Sequence, residues 1–151
     1  MPSIHFRKTV DAAPEQVYGA LATQEGLAGN WTDQLEVPEE TGATARFGFG
    51  PDWAMVLEVR IDALEPGRRV VWTPTGGFDG WIGTTIEWEL EPAEDGGTVV
   101  HFRHTGWPEA AADGEMAMCA YTWAMIIDRL AGQVAGGERA PYFAPGTPWP
   151  R

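Results

Sequence analysis

The chain of 151 residues has very few side chains that act as covalent nucleophiles. It contains one serine, Ser3, one lysine, Lys8, and one cysteine, Cys119. Ser3 lies beside the terminus, which excludes a serine triad in practice. Lys8 could form a Schiff base, but a lysine at a strand end is ordinarily solvated or ion-paired. Cys119 falls on an apolar helix stripe, where cysteine usually serves as a small core residue, and a single thiol cannot form an internal disulfide.

Histidine is also scarce, and this limits metal binding. The chain has three, His5, His101 and His104, whereas a tetrahedral site needs several ligands that converge. His101 and His104 stand three residues apart in one predicted strand, so their side chains point to opposite faces. His5 and His101 could meet across paired strands, but on the solvent-facing side. We therefore expect no metal ion, and nothing in the glycine-rich stretches resembles a phosphate-binding loop that would hold a cofactor.

Basic residues are scarce as well. The chain has 10 basic and 22 acidic residues, which gives a formal net charge of −12. This balance argues against nucleic acid as a partner and against adsorption to anionic lipid surfaces. No apolar run approaches the roughly 20 residues that a membrane helix needs, and the start lacks a secretory signal. We therefore expect a cytoplasmic protein with neither nucleic acid nor membrane as a partner.

The sequence does have clear hydrophobic periodicity. Alternation predicts a strand at residues 4–10, then two short helices, and then about six antiparallel strands between residues 35 and 105, one of them over 82–90. Helical spacing from Met116 to Val134 predicts one long helix, which Gly136-Gly137 ends. A sheet with one apolar face and a helix with one apolar stripe must cover each other. We predict one α+β domain over residues 1–143 and a proline-rich tail over 144–151.

This order of elements, together with three stretches of sequence, resembles a known family. The stretches are "VDAAPEQVYGALATQEGLAGNW" near the start, "HTGWP" before the last helix and "CAYTWAMIIDRLAGQV" within it. They are similar to single-domain relatives of the activator of heat-shock protein 90 ATPase, in the START-like or SRPBCC superfamily. The resemblance implies the helix-grip fold of the birch pollen allergen, in which a curved seven-stranded antiparallel sheet wraps around the C-terminal helix. A hydrophobic cavity lies between sheet and helix in such a fold.

Candidate binding residues follow from which side chains share the inner face. In the stretch "VVHFRHTGWP", Val100, Phe102 and His104 share one face of a strand, so His104 points inward. His104 could be a polar anchor for a ligand, or it could hydrogen-bond the backbone at the bend of residues 105–107. The aromatic residues could line a pocket or simply fill the core. The residues predicted to line the cavity are His104, Trp72, Trp88, Trp123, Phe47, Phe49, Thr84 and Met55.

Three functions are compatible with these residues. The first, which we favour, is binding of a small hydrophobic or aromatic molecule, lipids included, in the cavity. The second is a co-chaperone-like module that acts on a heat-shock protein 90 type ATPase in the stress response, as the family name implies. The third is an enzyme, because the superfamily includes cyclases and dehydratases, with His104 acting alongside Asp128 or Tyr121 as acid or base. The sequence designates no catalytic residue, and it allows a monomer or a dimer.

Overall fold

The computed structural model describes residues 1–144 as an α+β fold. One strand and two short helices come first, six further strands follow, and a long helix comes last. The strands are β1 (Ile4–Val10), β2 (Gln34–Glu36), β3 (Thr44–Phe49), β4 (Met55–Glu65), β5 (Arg69–Gly76), β6 (Thr85–Pro92) and β7 (Thr98–Thr105). The helices are α1 (Pro14–Ala22), α2 (Gln24–Ala28) and α3 (Glu115–Val134). This order confirms the predicted α+β helix-grip architecture.

The seven strands form a single antiparallel sheet in the order β1-β7-β6-β5-β4-β3-β2. The first strand pairs with the last, so that Ile4 lies opposite His104. The pairing of β4 with β5 shifts register twice, once between Glu58 and Val59 and once between Ile61 and Ala63. Such irregularities increase local twist, which helps the sheet to curve around the helix.

The two faces of the sheet differ as the alternation predicts. In β7, Val100, Phe102 and His104 are buried, while His101 and Arg103 are only partly so. The outer face carries ion pairs across neighbouring strands, including Arg69 to Glu87 at 2.6 Å and Arg103 to Glu87 at 3.2 Å. Partly exposed pairs of this kind add little stability, so the sheet depends on its apolar inner face.

Helix α3 lies across that inner face. Four of its residues are buried, namely Trp123, Ile126, Ile127 and Leu130, and Met116, Cys119, Ala120 and Val134 pack against the core in part. The predicted apolar stripe is therefore confirmed, with Ile126 added. At the sheet edge, Lys8 Nζ of β1 lies 3.2 Å from Asp128 Oδ1 of α3. The only lysine is thus ion-paired, and Asp128 faces away from the core.

Buried polar contacts hold the two short helices against α3. The amide of Asn30, 1% exposed, donates to the carbonyls of Ala20 at 3.1 Å and Gly26 at 3.0 Å. Gln133 Oε1 of α3 lies 3.0 Å from the same nitrogen, so one of its two N–H groups is shared between acceptors. Because a buried amide without partners would be costly, these bonds fix α1, α2 and α3 relative to one another.

One prediction about a boundary needs correction. The strand expected over residues 82–90 begins only at Thr85, and Ile82 is 53% exposed. Gly83 has φ of +92°, a left-handed conformation that interrupts an extended chain.

Beyond α3, Phe143 is 2% exposed and forms a bridge with Thr32. The rest of the predicted tail, residues 145–151, lies outside the described residues.

Residues 1–144 contain neither a helix that could cross a membrane nor a cluster of metal-ligating side chains. No helix in this range is long and apolar enough to cross a membrane. Within the same range, no three histidine, cysteine, aspartate or glutamate side chains lie together in a group that could hold a metal ion.

Candidate functional site

A cavity of about 430 Å³ opens between the first half of α3 and one end of the sheet. We call this end, where β3 and β5 finish and β4 and β6 start, the cavity end. Five aromatic rings form most of the wall, and the other lining residues are aliphatic, sulfur-containing or acidic, with one threonine and one glycine. The lining residues are Trp31, Met55, Gly77, Phe78, Asp79, Trp81, Glu115, Met118, Cys119, Thr122, Trp123, Ile126 and Phe143.

The connection between β5 and β6 forms one wall because of a glycine. Gly77 has φ of +94°, and a Cβ added there would overlap the carbonyl oxygen of Val56. Only glycine therefore lets the chain cross β4 so closely. The crossing brings Phe78 and Trp81 over the cavity, with their rings 5.1 Å apart and nearly perpendicular.

Helix α3 forms the opposite wall. Met118, Thr122 and Ile126 follow one another at intervals of four residues, with Cys119 and Trp123 alongside. This spacing places all five on one side of the helix, toward the cavity. Met118 is 36% exposed and Met55, across the mouth, is 40% exposed. Flexible thioether side chains therefore border the opening, whereas rigid rings form the interior.

Cys119 is the one thiol in the chain, and it faces the cavity. Burial raises its pKa from the ordinary 9.0 to about 11, a contact with Trp81 lowers the pKa, and the Glu115 charge raises it. Since the thiolate is the nucleophilic form, Cys119 stays protonated and inert at neutral pH.

Two of the eight residues predicted to line the cavity do so, namely Met55 and Trp123. The structure places the other six in the packed core rather than among the lining residues. These six, which are His104, Trp72, Trp88, Phe47, Phe49 and Thr84, are all 1% exposed or less. The inner face of the sheet was identified correctly, but most of its rings contact one another. The cavity occupies only one end of that face.

His104 is fully buried and takes part in a chain of hydrogen bonds. Trp123 Nε1 donates to His104 Nδ1 at 3.2 Å, and because an indole nitrogen can only donate, Nδ1 must be the unprotonated atom. His104 Nε2 therefore carries the proton and donates to Thr84 Oγ1 at 2.9 Å. Thr84 Oγ1 in turn donates to the Trp81 carbonyl at 2.6 Å. The polar side-chain atoms of Trp123, His104 and Thr84 therefore all have partners.

This arrangement keeps His104 neutral. Burial lowers the pKa of His104 from 6.5 to about 3, and a second ring proton would meet the Trp123 N–H. A hydrogen bond to backbone at the 105–107 bend was one of the two roles considered for His104, but the actual partners of its ring are Thr84 and Trp123. The acid and base partners considered for catalysis lie elsewhere, since Tyr121 is 68% exposed and Asp128 pairs with Lys8.

Four wall residues that were not among the eight predicted lie outside the regular strands. Trp31 follows α2, Phe78 and Trp81 lie in the β5 to β6 connection, and Phe143 lies beyond α3. Aromatic residues in loops were a visible signal, but a period of two carries no information about a loop. Met118 and Thr122 could have been found from helical spacing around Trp123.

A curved antiparallel sheet around a C-terminal helix, with an apolar cavity between them, defines an α+β protein of the helix-grip class. Residues 11–135 match the family model described as "Activator of Hsp90 ATPase homolog 1-like protein". The match spans most of the chain, and the chain therefore belongs to this family. The resemblance seen in the sequence is thereby confirmed. No curated protein matches the sequence.

Solved structures of similar fold come from several bacteria. The Aha1 dimer from Colwellia psychrerythraea is 31% identical with a TM-score of 0.80, covering 91% of this chain and 98% of that one. Protein MLL2253 from Mesorhizobium loti is 18% identical with a TM-score of 0.72, covering 89% and 97%. CalU16 from Micromonospora echinospora is 20% identical with a TM-score of 0.67, covering 85% and 73%. The last two, at such low identity, show the fold alone.

Proposed function

We propose that this protein binds a small apolar or aromatic molecule in the cavity between α3 and the cavity end of the sheet. The observation that carries this proposal is an aromatic-walled space of about 430 Å³ that opens to solvent. Small-molecule sites typically measure roughly 300 to 1,000 Å³ and combine apolar walls with a few polar groups. The cavity has both features.

The contrast with the rest of the core supports a binding role. An unfilled apolar space forfeits dispersion contacts along its whole lining, and cores normally close such spaces. This chain packs Trp72, Trp88 and Phe102 tightly a short distance away. The protein packs large rings tightly in that part of the core, yet it keeps a space beside Trp123. Such a space is suited to admit another molecule.

Binding fits the wall better than catalysis. His104 is buried behind Trp123 with both nitrogens hydrogen-bonded, and the Cys119 thiol is protonated at neutral pH. The two carboxylates at the mouth, Asp79 and Glu115, are exposed. A cyclase-like or dehydratase-like reaction would need an acid or base within reach of the substrate, and neither His104 nor Cys119 supplies one inside the cavity.

A cavity-filling substitution tests the proposal. Cys119→Phe adds a ring inside the cavity, while Ala117→Phe adds the same ring at an exposed position of α3. Dansylamide, whose fluorescence rises in apolar surroundings, serves as the probe. We expect wild type and Ala117→Phe to bind it alike and Cys119→Phe to bind at least about tenfold more weakly. Equal binding by all three proteins, each checked for folding by circular dichroism, would refute the site.

A second candidate function is contact with another protein. Helix α3 exposes three large apolar side chains beside the cavity mouth, Met118 at 36%, Tyr121 at 68% and Met125 at 39%. Grouped exposed apolar residues often mark an interface. The family name suggests an Hsp90-type ATPase, and the Colwellia relative is described as a dimer. ATPase stimulation and sedimentation velocity, each repeated with Tyr121→Glu, separate a chaperone partner from a second copy.

The cellular setting is part of the same proposal. A cytoplasmic location and a role in the stress response would place the protein beside an Hsp90-type ATPase. Immunolocalisation and growth of a deletion strain at raised temperature test these two points.

A further inference from the structure

We propose that the cavity prefers ligands that carry a positive charge, such as an aromatic or aliphatic amine, over fatty acids and other anionic lipids. This inference rests on the proposed binding function and adds the ligand's charge to it. It comes from the charges placed around the mouth, which the apolar wall alone does not reveal.

The charged groups of the wall all have one sign. Among the described residues that line the cavity, the only charged ones are Asp79 and Glu115, and none is basic. The remaining polar side chains, Cys119 and Thr122, are neutral. An anionic ligand would therefore meet two carboxylates and find no arginine, lysine or histidine in the wall to pair with it.

The two carboxylates come from opposite sides of the mouth. Asp79 belongs to the β5 to β6 connection, and Glu115 begins α3. The Glu115 carboxylate occupies the space that a side chain at position 80 would fill. Because Gly80 has no side chain, this carboxylate can lie against the residue that follows Asp79. Since both line the same cavity, each of the two negative charges attracts a cation that enters there.

The interior favours the same kind of ligand. Trp31, Trp81 and Trp123 present indole rings to the cavity, and an indole face attracts cations more strongly than other aromatic side chains do. The Glu115 charge also reaches into the cavity, since it acts on the titration of Cys119. A ligand with an apolar body and an ammonium group at the mouth would satisfy both parts of the site.

The charge of the whole protein acts in the same direction. With a formal net charge of −12, the surface raises the local concentration of cations and lowers that of anions. That effect is general, however, and does not depend on the cavity. The experiment must therefore separate the two carboxylates at the mouth from the overall charge.

Three dansyl probes with matched tails measure the preference. Dansylcadaverine carries an ammonium group, N-pentyl dansylamide is neutral, and dansyl-6-aminohexanoic acid is anionic. For wild type at low salt we expect the cationic probe to bind roughly fivefold more tightly than the neutral one, and the anionic probe to bind most weakly. About 0.5 M salt should reduce the preference to twofold or less, because the carboxylates are exposed.

Two double variants with equal net charge show whether the preference for the cationic probe comes from the carboxylates at the mouth or from the overall charge. Asp79→Asn with Glu115→Gln removes the charges at the mouth. Glu40→Gln with Glu94→Gln removes two exposed charges in connections at the other end of the sheet. We expect the first pair to abolish the preference for the cationic probe and the second pair to keep it.

Each outcome has a distinct meaning. Equal binding of all three probes by wild type would overturn the charge preference and leave the binding function intact. An equal loss of preference in both double variants would assign it to overall charge and also overturn this proposal. Failure of all three probes to bind would overturn the binding function together with the charge preference. Retained binding by Cys119→Phe would place the probes outside the cavity and overturn both.

Discussion

The aromatic rings between the sheet and α3 form a cluster with two halves, one around Trp88 and one around Trp81. The two halves contain the same residue types but pack differently. Around Trp88, the rings of Phe102 at 4.6 Å and Trp72 at 6.4 Å leave the indole 1% exposed. Around Trp81, one side faces Phe78 at 5.1 Å and another faces the cavity. The first half is a closed core, and the second is a wall. Composition alone does not distinguish them.

Trp123 belongs to both halves. Its ring lies 4.7 Å from Phe102 in the closed core and 5.2 Å from Trp31 at the cavity wall. Its N–H points to His104, so the polar edge of the indole is fixed inside the protein. The apolar face of the same ring is thereby held toward the cavity. A hydrogen bond in the core thus determines the shape of the wall.

The largest expected effect comes from removing this shared ring. Trp123→Ala should lower the free energy of unfolding by roughly 3–5 kcal/mol, because it opens a cavity in the core and leaves His104 Nδ1 without its donor. Urea denaturation measures the loss. Trp53→Ala, at a half-exposed tryptophan stacked under Arg46, is the matched control and should cost about 1 kcal/mol. A loss below about 1 kcal/mol for Trp123→Ala would show that the ring is poorly packed.

The next effect is the dependence of stability on pH. The pKa of His104 is about 3 in the folded protein and about 6.5 when unfolded, so between these values only the unfolded chain binds the proton. The stability that neutral His104 contributes is therefore complete above about pH 6.5 and is lost as the pH falls toward 3. The loss amounts to about 1.4 kcal/mol per pH unit, or about 3 kcal/mol between pH 7 and pH 4.

Comparison with His104→Phe isolates this contribution. The variant lacks the titrating group, so its free energy of unfolding does not include this loss. Relative to wild type, the variant should therefore gain about 3 kcal/mol of stability between pH 7 and pH 4. Urea unfolding of both proteins at each pH gives the difference, in which other titrating groups cancel. A constant difference, or an NMR titration of His104 near pH 6.5, would contradict the buried neutral state.

A smaller effect is expected from the middle of the hydrogen-bond chain. Thr84→Val keeps the shape but removes both the acceptor for His104 and the donor to Trp81, at a cost of about 1–3 kcal/mol. Thr122→Val makes the same change at the cavity wall, where the hydroxyl only bonds the Met118 carbonyl of its own helix, and should cost under about 0.5 kcal/mol. Equal losses in thermal or urea denaturation would show that the two sites do not differ.

The smallest expected effect concerns the border of the cavity. Met118→Ala should lower the free energy of unfolding by less than about 1 kcal/mol, because the side chain is 36% exposed and already borders open space. Dansylamide affinity should nevertheless fall by about two- to threefold, since a wall contact is lost. If stability falls sharply while affinity stays the same, Met118 belongs to the core and the boundary between the two halves must be moved.

The strands and the long helix were predictable because their signals are local. Period-two alternation identified the buried face of β7, and helical spacing identified Trp123 and Leu130 on α3. Each signal depends only on which way successive side chains point. The start of β6 was placed too early at Ile82 because alternation continues through Gly83, whose left-handed conformation is invisible to a hydrophobic pattern.

The site was harder to predict because a cavity is a property of several elements at once. Alternation correctly turned Phe47, Trp72 and Trp88 inward, but facing inward is compatible with both a core and a pocket. The wall depends on the crossing of Gly77 over Val56 and on Phe143 returning beside Thr32. These contacts join residues far apart in the chain, and no local period encodes them.

The sequence by itself determined the fold class, the family, the buried face of each main strand, the acidic surface and the shortage of nucleophiles. These follow from composition, periodicity and motif, which are properties of neighbouring residues. Only the tertiary structure decided which inward rings close on one another and which leave a space. It also decided that His104 hydrogen-bonds to Trp123 and Thr84, because side chains of different elements come within bonding distance only after the chain has packed.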